Sequence, residues 1–253
     1  MKSIDINSDV GESFGPYKIG DDENVFQRIS SANIACGYHG GDPLVMRKSV
    51  QLAKEKGINI GAHPGLPDMA GFGRRKMDVT AEEAKNYVIY QIGSLWGFCR
   101  VLKTEVKHVK IHGAFSGMAA KDEKIAKAIV EGIREVDDKL LLYCRPGTAL
   151  ALMADKQGIR QVDDFPVDRA VNVDNTMVDR RLPGAVIEDV AKVVARTIRL
   201  VKEGTLETFD GKVIELHPRT ICIHGDNPNA VNLLTAISTA LRKEGIEIMP
   251  FTL

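Results

Sequence analysis

The sequence predicts an α/β protein built as a parallel (β/α) barrel of the TIM type. Short apolar β-like runs alternate with amphipathic stretches along the 253 residues, and several of these stretches carry a lysine in the last turn and then a glycine. Repeated strand and helix units with glycine stops are typical of parallel β/α folds. Seven or eight such units in a chain of this length fit a closed barrel. We therefore predict one domain over residues 1–253.

Seven β-like runs and one weaker run supply the strands of this barrel. They cover Ser3–Asn7, Ala32–Cys36, Asn59–Ala62, Val106–Ile111, Leu140–Tyr143, Ile159–Val162 and Thr220–Ile223, with Ile246–Met249 as the candidate eighth strand. Residues 163–186 and 205–218 lack a regular pattern and are predicted to form loop or hairpin excursions. An open doubly wound sheet is the alternative, but neither a G-x-G-x-x-G nor a P-loop motif follows any of the runs.

Amphipathic helices are predicted where apolar residues recur at steps of three or four. These stripes run from Ala84 to Leu102, from Ile125 to Val136, from Val190 to Val201 and from Leu233 to Leu241. Thr80 and Glu83 form a capping-box pattern before the first stripe. Asp42-Pro43 and Asn227-Pro228 each place an N-cap side chain before a proline, which predicts that a helix begins at each proline.

Composition and charge exclude several classes of protein. Hydrophobic residues make up 44% and charged residues 27%, which is ordinary for a folded domain and argues against disorder. The charges of the 34 basic and 34 acidic residues cancel, so the chain lacks the net positive charge that is typical of a nucleic-acid binder. No apolar run is long enough for a membrane span, and the N-terminus lacks the apolar core of a signal peptide. The four scattered cysteines fit reduced thiols, so we expect a cytoplasmic protein.

Polar side chains cluster just past the predicted strands, where a barrel of this type builds its active site. In chain order they are Asn7, Asp9, Glu12, His39, His63, Lys110, His112, Asp168, Arg169, His224 and Asp226. Four of the six histidines share this position, next to glycine or proline. A single loop histidine usually only satisfies its neighbours, but four on one face favour a functional site.

These residue types permit two kinds of chemistry. Histidines and carboxylates relay protons, and Lys110 and Arg169 could neutralise an anionic substrate or a developing oxyanion. The other chemistry is metal-assisted activation of water, with a candidate ligand set of Asp9, His39, His63 and His224. The chain contains no H-E-x-x-H motif, so the metal hypothesis has no support from a compact ligand pattern.

Two glycine-rich segments add candidates for anion binding. Cys36–Gly41 precedes the helix predicted at Pro43, whose positive end could face a ligand, although tight turns also need such glycines. Arg74, in the segment Gly71–Arg75, could bind a carboxylate or phosphate or could be a solvated surface charge.

Seven segments of the chain resemble the LamB/YcsF family. They are DINSDVGESFGPYKIGDDE, SANIACGYHGGDP, GAHPGLPDMAGFGRRKMDV, YQIGSL, HVKIHGA, LPGAVI and ICIHGDNPNAV. The resemblance implies a (β/α) barrel related to polysaccharide deacetylases and often described as seven-stranded. It also implies ATP-dependent hydrolytic opening of the cyclic amide of 5-oxo-L-proline to L-glutamate, in a complex with two further subunits, B and C.

The resemblance places the family's polar signature on ten of the strand-end residues, all those above except Asn7. We predict catalytic roles for Asp9, Glu12, His39, His63, Lys110, His112, His224 and Asp226, and substrate binding by Asn7, Arg74, Asp168 and Arg169. ATP would be a co-substrate bound at least partly by the partner subunits, because the chain has no P-loop. Two alternatives stay open: a stand-alone deacetylase or amidohydrolase that uses a divalent metal, and a non-catalytic binding subunit with a changed substrate.

Several positions depart from the family pattern. The family usually reads Lys-Pro-His-Gly-Ala-Leu-Tyr, where this chain has Lys110-Ile111-His112-Gly113-Ala114-Phe115-Ser116. Val171 stands in place of a tyrosine and Pro166 in place of a phenylalanine. Loss of a hydroxyl that binds substrate can change discrimination by about 10⁴-fold, so these positions bear on which substrate is accepted.

Overall fold

The computed structural model describes residues 3–252 and contains a closed barrel of parallel strands. In chain order the strands are β1 (Ser3–Val10), β2 (Ser31–Ala35), β3 (Asn59–His63), β4 (Val106–Lys110), β5 (Leu141–Cys144), β6 (Gln161–Pro166), β7 (Thr205–Glu207), β8 (Val213–Glu215), β9 (Thr220–Ile223) and β10 (Glu247–Ile248). Strands β1 to β6 pair in sequence, and β9 pairs with both β6 and β1. This closure gives seven barrel strands and confirms the predicted fold class.

The predicted eighth strand does not enter the barrel. It shortens to β10, which pairs with Ser3 and Ile4 at the start of β1. The barrel is already closed at Asp5–Ser8, where β1 pairs with β9. The excursion at 205–218 holds the antiparallel hairpin β7–β8, as expected. The excursion predicted from residue 163 is wrong at its start, because residues 163–166 continue β6.

Helices cover the outside of the barrel. They are α1 (Asp22–Val25), α2 (Pro43–Lys56), α3 (Ala81–Val101), α4 (Gly113–Ala119), α5 (Glu123–Val136), α6 (Ala149–Gln157), α7 (Val190–Glu203) and α8 (Ala230–Lys243). The capping box at Thr80 and Glu83 is present, and the Asp42 side chain accepts hydrogen bonds from the first turn of α2. None of the helices within residues 3–252 has both the length and the apolar character that crossing a membrane requires.

The helix predicted to begin at Pro228 begins two residues later. Asn227 does not cap α8; its side-chain oxygen accepts a hydrogen bond from the backbone N–H of Asn229 at 2.9 Å and so forms a turn. Its amide nitrogen lies 3.3 Å from a carboxylate oxygen of Asp168. The N-cap prediction was wrong because Asn227 supports the site instead.

The interior of the barrel is polar. Along β1, Ile4 and Ile6 join the hydrophobic core, while the alternating Asp5 and Asn7 hydrogen-bond across the barrel. Asp5 accepts hydrogen bonds from hydroxyl groups on or next to three other strands, those of Ser30, Ser31, Tyr143 and Thr220. The main apolar core therefore lies between the strands and the helices. This arrangement differs from the branched apolar filling that is usual inside TIM-type barrels.

Candidate active site

A cleft of about 1260 Å³ opens at the carboxyl ends of the barrel strands. The predicted site residues that line it are Asp9, His63, Arg74, Lys110, His112, Arg169 and His224. The other predicted residues, Asn7, Glu12, His39, Asp168 and Asp226, each contact a residue of this lining. The structure thus brings the whole predicted set together.

A buried charge centre forms the floor of the cleft. The Lys110 Nζ atom lies 2.9 Å from Asn7 Oδ1, 3.2 Å from Asp164 Oδ2 and 3.4 Å from Asp9 Oδ1. Burial opposes the charged ammonium, but the carboxylates of Asp164 and Asp9 raise the pKa of Lys110 well above its ordinary value. Burial alone would raise the pKa of Asp9, yet His63 and Lys110 lower it well below the usual range. Lys110 is therefore a fixed cation and not a base.

Asn7, predicted to bind substrate, lies beneath this centre and is fully buried. Its amide nitrogen donates to Asp164 Oδ1 at 2.7 Å and to Thr220 Oγ1 at 2.8 Å. Its oxygen accepts from Asn33 at 2.8 Å and from Lys110. Because both ends of the amide are satisfied by the protein, Asn7 has no hydrogen-bonding group left for a substrate and instead positions the charge centre.

His63 and His112 face each other on one side of the cleft, with 2.9 Å between His63 Nε2 and His112 Nδ1. The outer nitrogens point to backbone oxygens: His63 Nδ1 lies 2.7 Å from the Lys110 carbonyl, and His112 Nε2 lies 2.9 Å from the Phe72 carbonyl. A carbonyl oxygen only accepts, so both outer nitrogens carry hydrogen. The two inner nitrogens therefore face one shared space.

Glu12 and His39 pack behind this histidine pair. Glu12 Oε1 lies 3.2 Å from His39 Nε2 and 3.8 Å from His112 Nδ1. Burial, together with the charges of Asp9 and Asp226, raises the pKa of Glu12 well above its ordinary value. The His39 ring stacks on His112 with centroids 3.7 Å apart, and burial lowers its pKa.

A glycine makes room for His39. A Cβ atom at Gly65 would stand 2.4 Å from His39 Nδ1, which no side chain can tolerate. The GAHPG segment thus supplies His63 as a polar group and Gly65 as the space for a second ring. This pairing gives the segment a packing role that the sequence did not reveal.

His224 and Asp168 form a dyad on the other side of the cleft. His224 Nδ1 lies 2.9 Å and 3.1 Å from the two carboxylate oxygens of Asp168. Burial would raise the pKa of Asp168, but the charge and hydrogen bond of His224 lower it. The carboxylate thus holds the Nδ1–H tautomer, and within residues 3–252 no group hydrogen-bonds to Nε2. That nitrogen can accept a proton from a water or substrate in the cleft.

The rim of the cleft is rich in arginine. Arg74 Nη2 lies 2.7 Å from Asp226 Oδ2, and Arg180 Nη1 lies 3.8 Å from the same oxygen. One carboxylate shared by two guanidinium groups leaves a positive surplus. Further cations line the cleft: Arg75, Lys76, Lys121, Arg145, Arg169 and Arg181. Asp226, predicted to be catalytic, orients Arg74 and is suited to building an anion site.

Arg169, predicted to bind substrate, is mainly committed to the protein. Its Nε donates to the Ala185 carbonyl at 3.1 Å, and its Nη2 donates to the Val178 carbonyl at 2.8 Å. Burial and the nearby Arg180 lower its pKa to about 10, so it stays charged. Arg169 therefore anchors the loop between β6 and α7 while one edge lines the cleft.

Sequence reasoning missed three residues of the site. Asp164 was missed because β6 was predicted to end at Val162, although the alternation of Val162, Asp164 and Pro166 could have placed Asp164 inside the barrel. Asn33, which donates to Asn7 and to Asp9, lies within β2 and not at its end. Arg180 lies in a loop without periodicity, so no sequence pattern marks it.

The departures from the family pattern fall into two groups. Ile111, Ser116 and Pro166 line the cleft, so they shape whatever binds there. Phe115 and Val171 are fully buried and belong to the hydrophobic core. Substitutions at those two core positions cannot contact a ligand directly.

Comparison with known proteins gives the same family as the seven sequence segments. Residues 4–253 match the LamB/YcsF family. This chain belongs to the LamB/YcsF family. It is 47% identical over 247 residues to the A subunit of 5-oxoprolinase from Pyrococcus abyssi, with 98% of this chain and 97% of the relative covered. It is 49% identical to the protein of the same name from Thermococcus onnurineus, with the same coverage.

Solved structures support the same assignment. A lactam utilization protein from Thermus thermophilus is 40% identical and superimposes with a TM-score of 0.93, covering 98% of this chain and all of that one. The polysaccharide deacetylase Bc1974 from Bacillus cereus is 12% identical, with a TM-score of 0.50 over 100% of this chain and 93% of its own. That second likeness shows a shared barrel fold.

Proposed function

We propose that this chain is one component of an ATP-dependent 5-oxoprolinase that opens the cyclic amide of 5-oxo-L-proline to L-glutamate. The observation that carries the proposal is the Asp168–His224 dyad, which faces a cationic cleft beside the fixed ammonium of Lys110. Relatives covering nearly the whole chain at 47–49% identity are named as the A subunit of 5-oxoprolinase. The name supports membership of a complex with further subunits, here proposed to be B and C.

The dyad suits the hydrolytic half of the reaction. Transfer of the ATP γ-phosphoryl group to the lactam oxygen, with release of ADP and the lactam N–H proton, makes the ring carbon more electrophilic. A water then adds to that carbon while His224 Nε2 takes its proton. The imidazolium passes that proton to the ring nitrogen. The new hydroxyl group of the adduct then gives up its proton, His224 carries this second proton to the same nitrogen, and the ring C–N bond breaks to leave an amine and an acyl phosphate. A second water hydrolyses the resulting acyl phosphate to L-glutamate and phosphate.

The arginine rim suits the anions that this reaction requires. The substrate carries a carboxylate, and ATP carries several phosphate oxygens. Arg74 and Arg180 share one carboxylate and so retain capacity for a second anion. Because the chain has no P-loop, we propose that the partner subunits bind ATP in large part and that this rim contacts the end of the nucleotide nearest the substrate.

The test is release of glutamate and phosphate from 5-oxoproline by the purified chain, alone and with subunits B and C, with and without ATP and EDTA. We expect turnover only in the complete mixture with ATP. His224→Asn should abolish turnover while leaving assembly of the subunits intact. His217→Asn is the matched control, because His217 is an exposed histidine paired with Glu215 at 2.8 Å.

Two outcomes would contradict the proposal. Turnover by the single chain without ATP, removed by EDTA, would favour the stand-alone metal amidohydrolase. Full turnover by the His224→Asn complex would remove the dyad from the mechanism.

A further inference from the structure

We infer that His63, His112 and Glu12 form a binding site for a divalent transition-metal ion. The inference goes beyond the proposed reaction, since it concerns binding alone. Glu12, His39, His63 and His112 each offer a ligand atom, and those four atoms lie within 4.8 Å of one another. The sequence led us to expect Asp9, His39, His63 and His224, and of these only His63 is a ligand here. Asp9 Oδ2 lies 3.5 Å from His63 Nε2, but Asp9 groups with Cys222 and His224 and not with these four residues.

The histidine pair is held as metal-binding histidines usually are. Each ring donates its outer N–H to a backbone carbonyl, that of Lys110 for His63 and that of Phe72 for His112. Such outer contacts fix the tautomer and aim the remaining nitrogen at the ion. Here both remaining nitrogens aim at one point and lie 2.9 Å apart, so either a shared proton or a metal ion in its place must lie between them. The Asp9 carboxylate, 3.5 Å from His63 Nε2, favours positive charge at that point, and Glu12 supplies a third donor atom for a metal.

The distances fit a small ion after a slight opening. Metal bonds of about 2.0–2.2 Å to nitrogen and oxygen place two tetrahedral ligand atoms roughly 3.4 Å apart. The separations here are 2.9 Å between the inner nitrogens and 3.8 Å between His112 Nδ1 and Glu12 Oε1. The nitrogens would therefore move apart by about half an ångström. The two nitrogens and one carboxylate oxygen suit Zn²⁺ or Co²⁺ and leave a position open towards the cleft.

His39 is a neighbour of this site and not a ligand in this arrangement. Its ring is parallel to that of His112, with 4° between the planes and 3.7 Å between the centroids. A metal lies in the plane of an imidazole that binds it, so one ion cannot lie in the planes of two stacked rings. His224, expected in the ligand set from the sequence, is instead oriented by Asp168.

The test is a titration of the full chain with Zn²⁺ and with Co²⁺ after removal of metal by EDTA and dialysis. Calorimetry should give one ion per chain, and Co²⁺ should give the visible absorption of a tetrahedral site. His63→Gln and His112→Gln should each weaken binding at least 100-fold, and Glu12→Gln should weaken it at least 10-fold. The surface control His217→Gln should bind within about 3-fold of the unmodified chain. His39→Gln, which removes an outer contact to Glu12, should weaken binding by about 10-fold.

Circular dichroism checks that each variant is folded, and the Glu12→Gln titration provides the test if a histidine variant is not. Absence of one-to-one binding by the unmodified chain would overturn the inference, as would unchanged binding by folded His63→Gln and His112→Gln proteins. Loss of binding in His39→Gln equal to that in His63→Gln would overturn the ligand assignment. Turnover with subunits B and C is measured separately from metal binding. Failure of the metal-site proposal can therefore be distinguished from failure of the proposed 5-oxoprolinase function.

Discussion

Replacing Lys110 with methionine tests whether the buried charge centre holds the barrel together. The ammonium satisfies Asp164 and Asp9 at 3.2 Å and 3.4 Å, and these carboxyl groups are only about 5% exposed. Methionine keeps much of the side-chain volume but removes the charge and its hydrogen bonds. Both carboxylates then lose their nearest ammonium, and Asp164 retains only the amide of Asn7 among the contacts above.

The expected cost follows from that loss of pairing. Removing one partner of a buried ion pair typically costs about 3–5 kcal/mol, because a charge is left without compensation. For a chain of this size, each kcal/mol shifts the melting temperature by about 2–4 °C, so the expected fall is roughly 6–20 °C. Adding Asp164→Asn removes one of the two stranded charges. The double variant should therefore be more stable than the sum of the single effects by about 0.5–3 kcal/mol.

Urea unfolding and thermal melting test this prediction on four proteins: the unmodified chain, Lys110→Met, Asp164→Asn and the double variant. Lys107→Met is the matched control on the same strand, because Lys107 is 47% exposed and pairs with Glu105 at the surface. That control should change the free energy of unfolding by less than about 0.5 kcal/mol. A Lys110→Met protein as stable as the Lys107→Met protein would refute the reasoning, as would strict additivity with Asp164→Asn.

Three further predictions concern the cleft and its surroundings. Asp168→Asn should lower kcat by about 10²–10⁴-fold, because His224 loses the partner that fixes its tautomer. Because the pKa of Asp168 is lowered in the folded chain, its ionised carboxylate stabilises the fold fully above the unfolded pKa near 3.9, and this stabilisation is lost as the pH falls below that value. The melting temperature should therefore change more steeply with pH between pH 2 and 6 in the unmodified chain than in Asp168→Asn. Equal slopes would contradict this. Phe115→Tyr should destabilise the fold by about 1–3 kcal/mol, because it buries a hydroxyl group in the hydrophobic core. Ser116→Tyr should leave urea unfolding unchanged and alter KM, because Ser116 lines the cleft. A destabilised Ser116→Tyr protein beside a fully stable Phe115→Tyr protein would refute the placement of these residues. Arg180→Ala should raise KM for an anionic substrate with a change in melting temperature under about 2 °C, and an unchanged KM would remove Arg180 from the anion site.

The sequence predicted the barrel well because strands and helices are local patterns. Glycine stops, the capping box at Thr80 and polar residues at strand ends each depend on a few neighbouring residues. The pairing of His63 with His112 could not be predicted in this way, because it depends on how β3 and β4 register against each other. Arg180 depends on a loop of no regular pattern, and only its ion pair with Asp226 places it at the rim.

The polar interior explains why so many site residues could be found at all. In this barrel the apolar core lies outside the strands, so inward positions of β1 are free to carry Asp5, Asn7 and Asp9 at every second residue. Each buried polar group that pairs across the barrel restricts the orientation of its partner, and a network satisfied on all sides is rigid. Asp9 contacts both Lys110 and His63, at 3.4 Å and 3.5 Å, so it joins the charge centre to the histidine pair. The interior that holds the strands in register is therefore also the support that fixes the polar groups at the floor of the cleft.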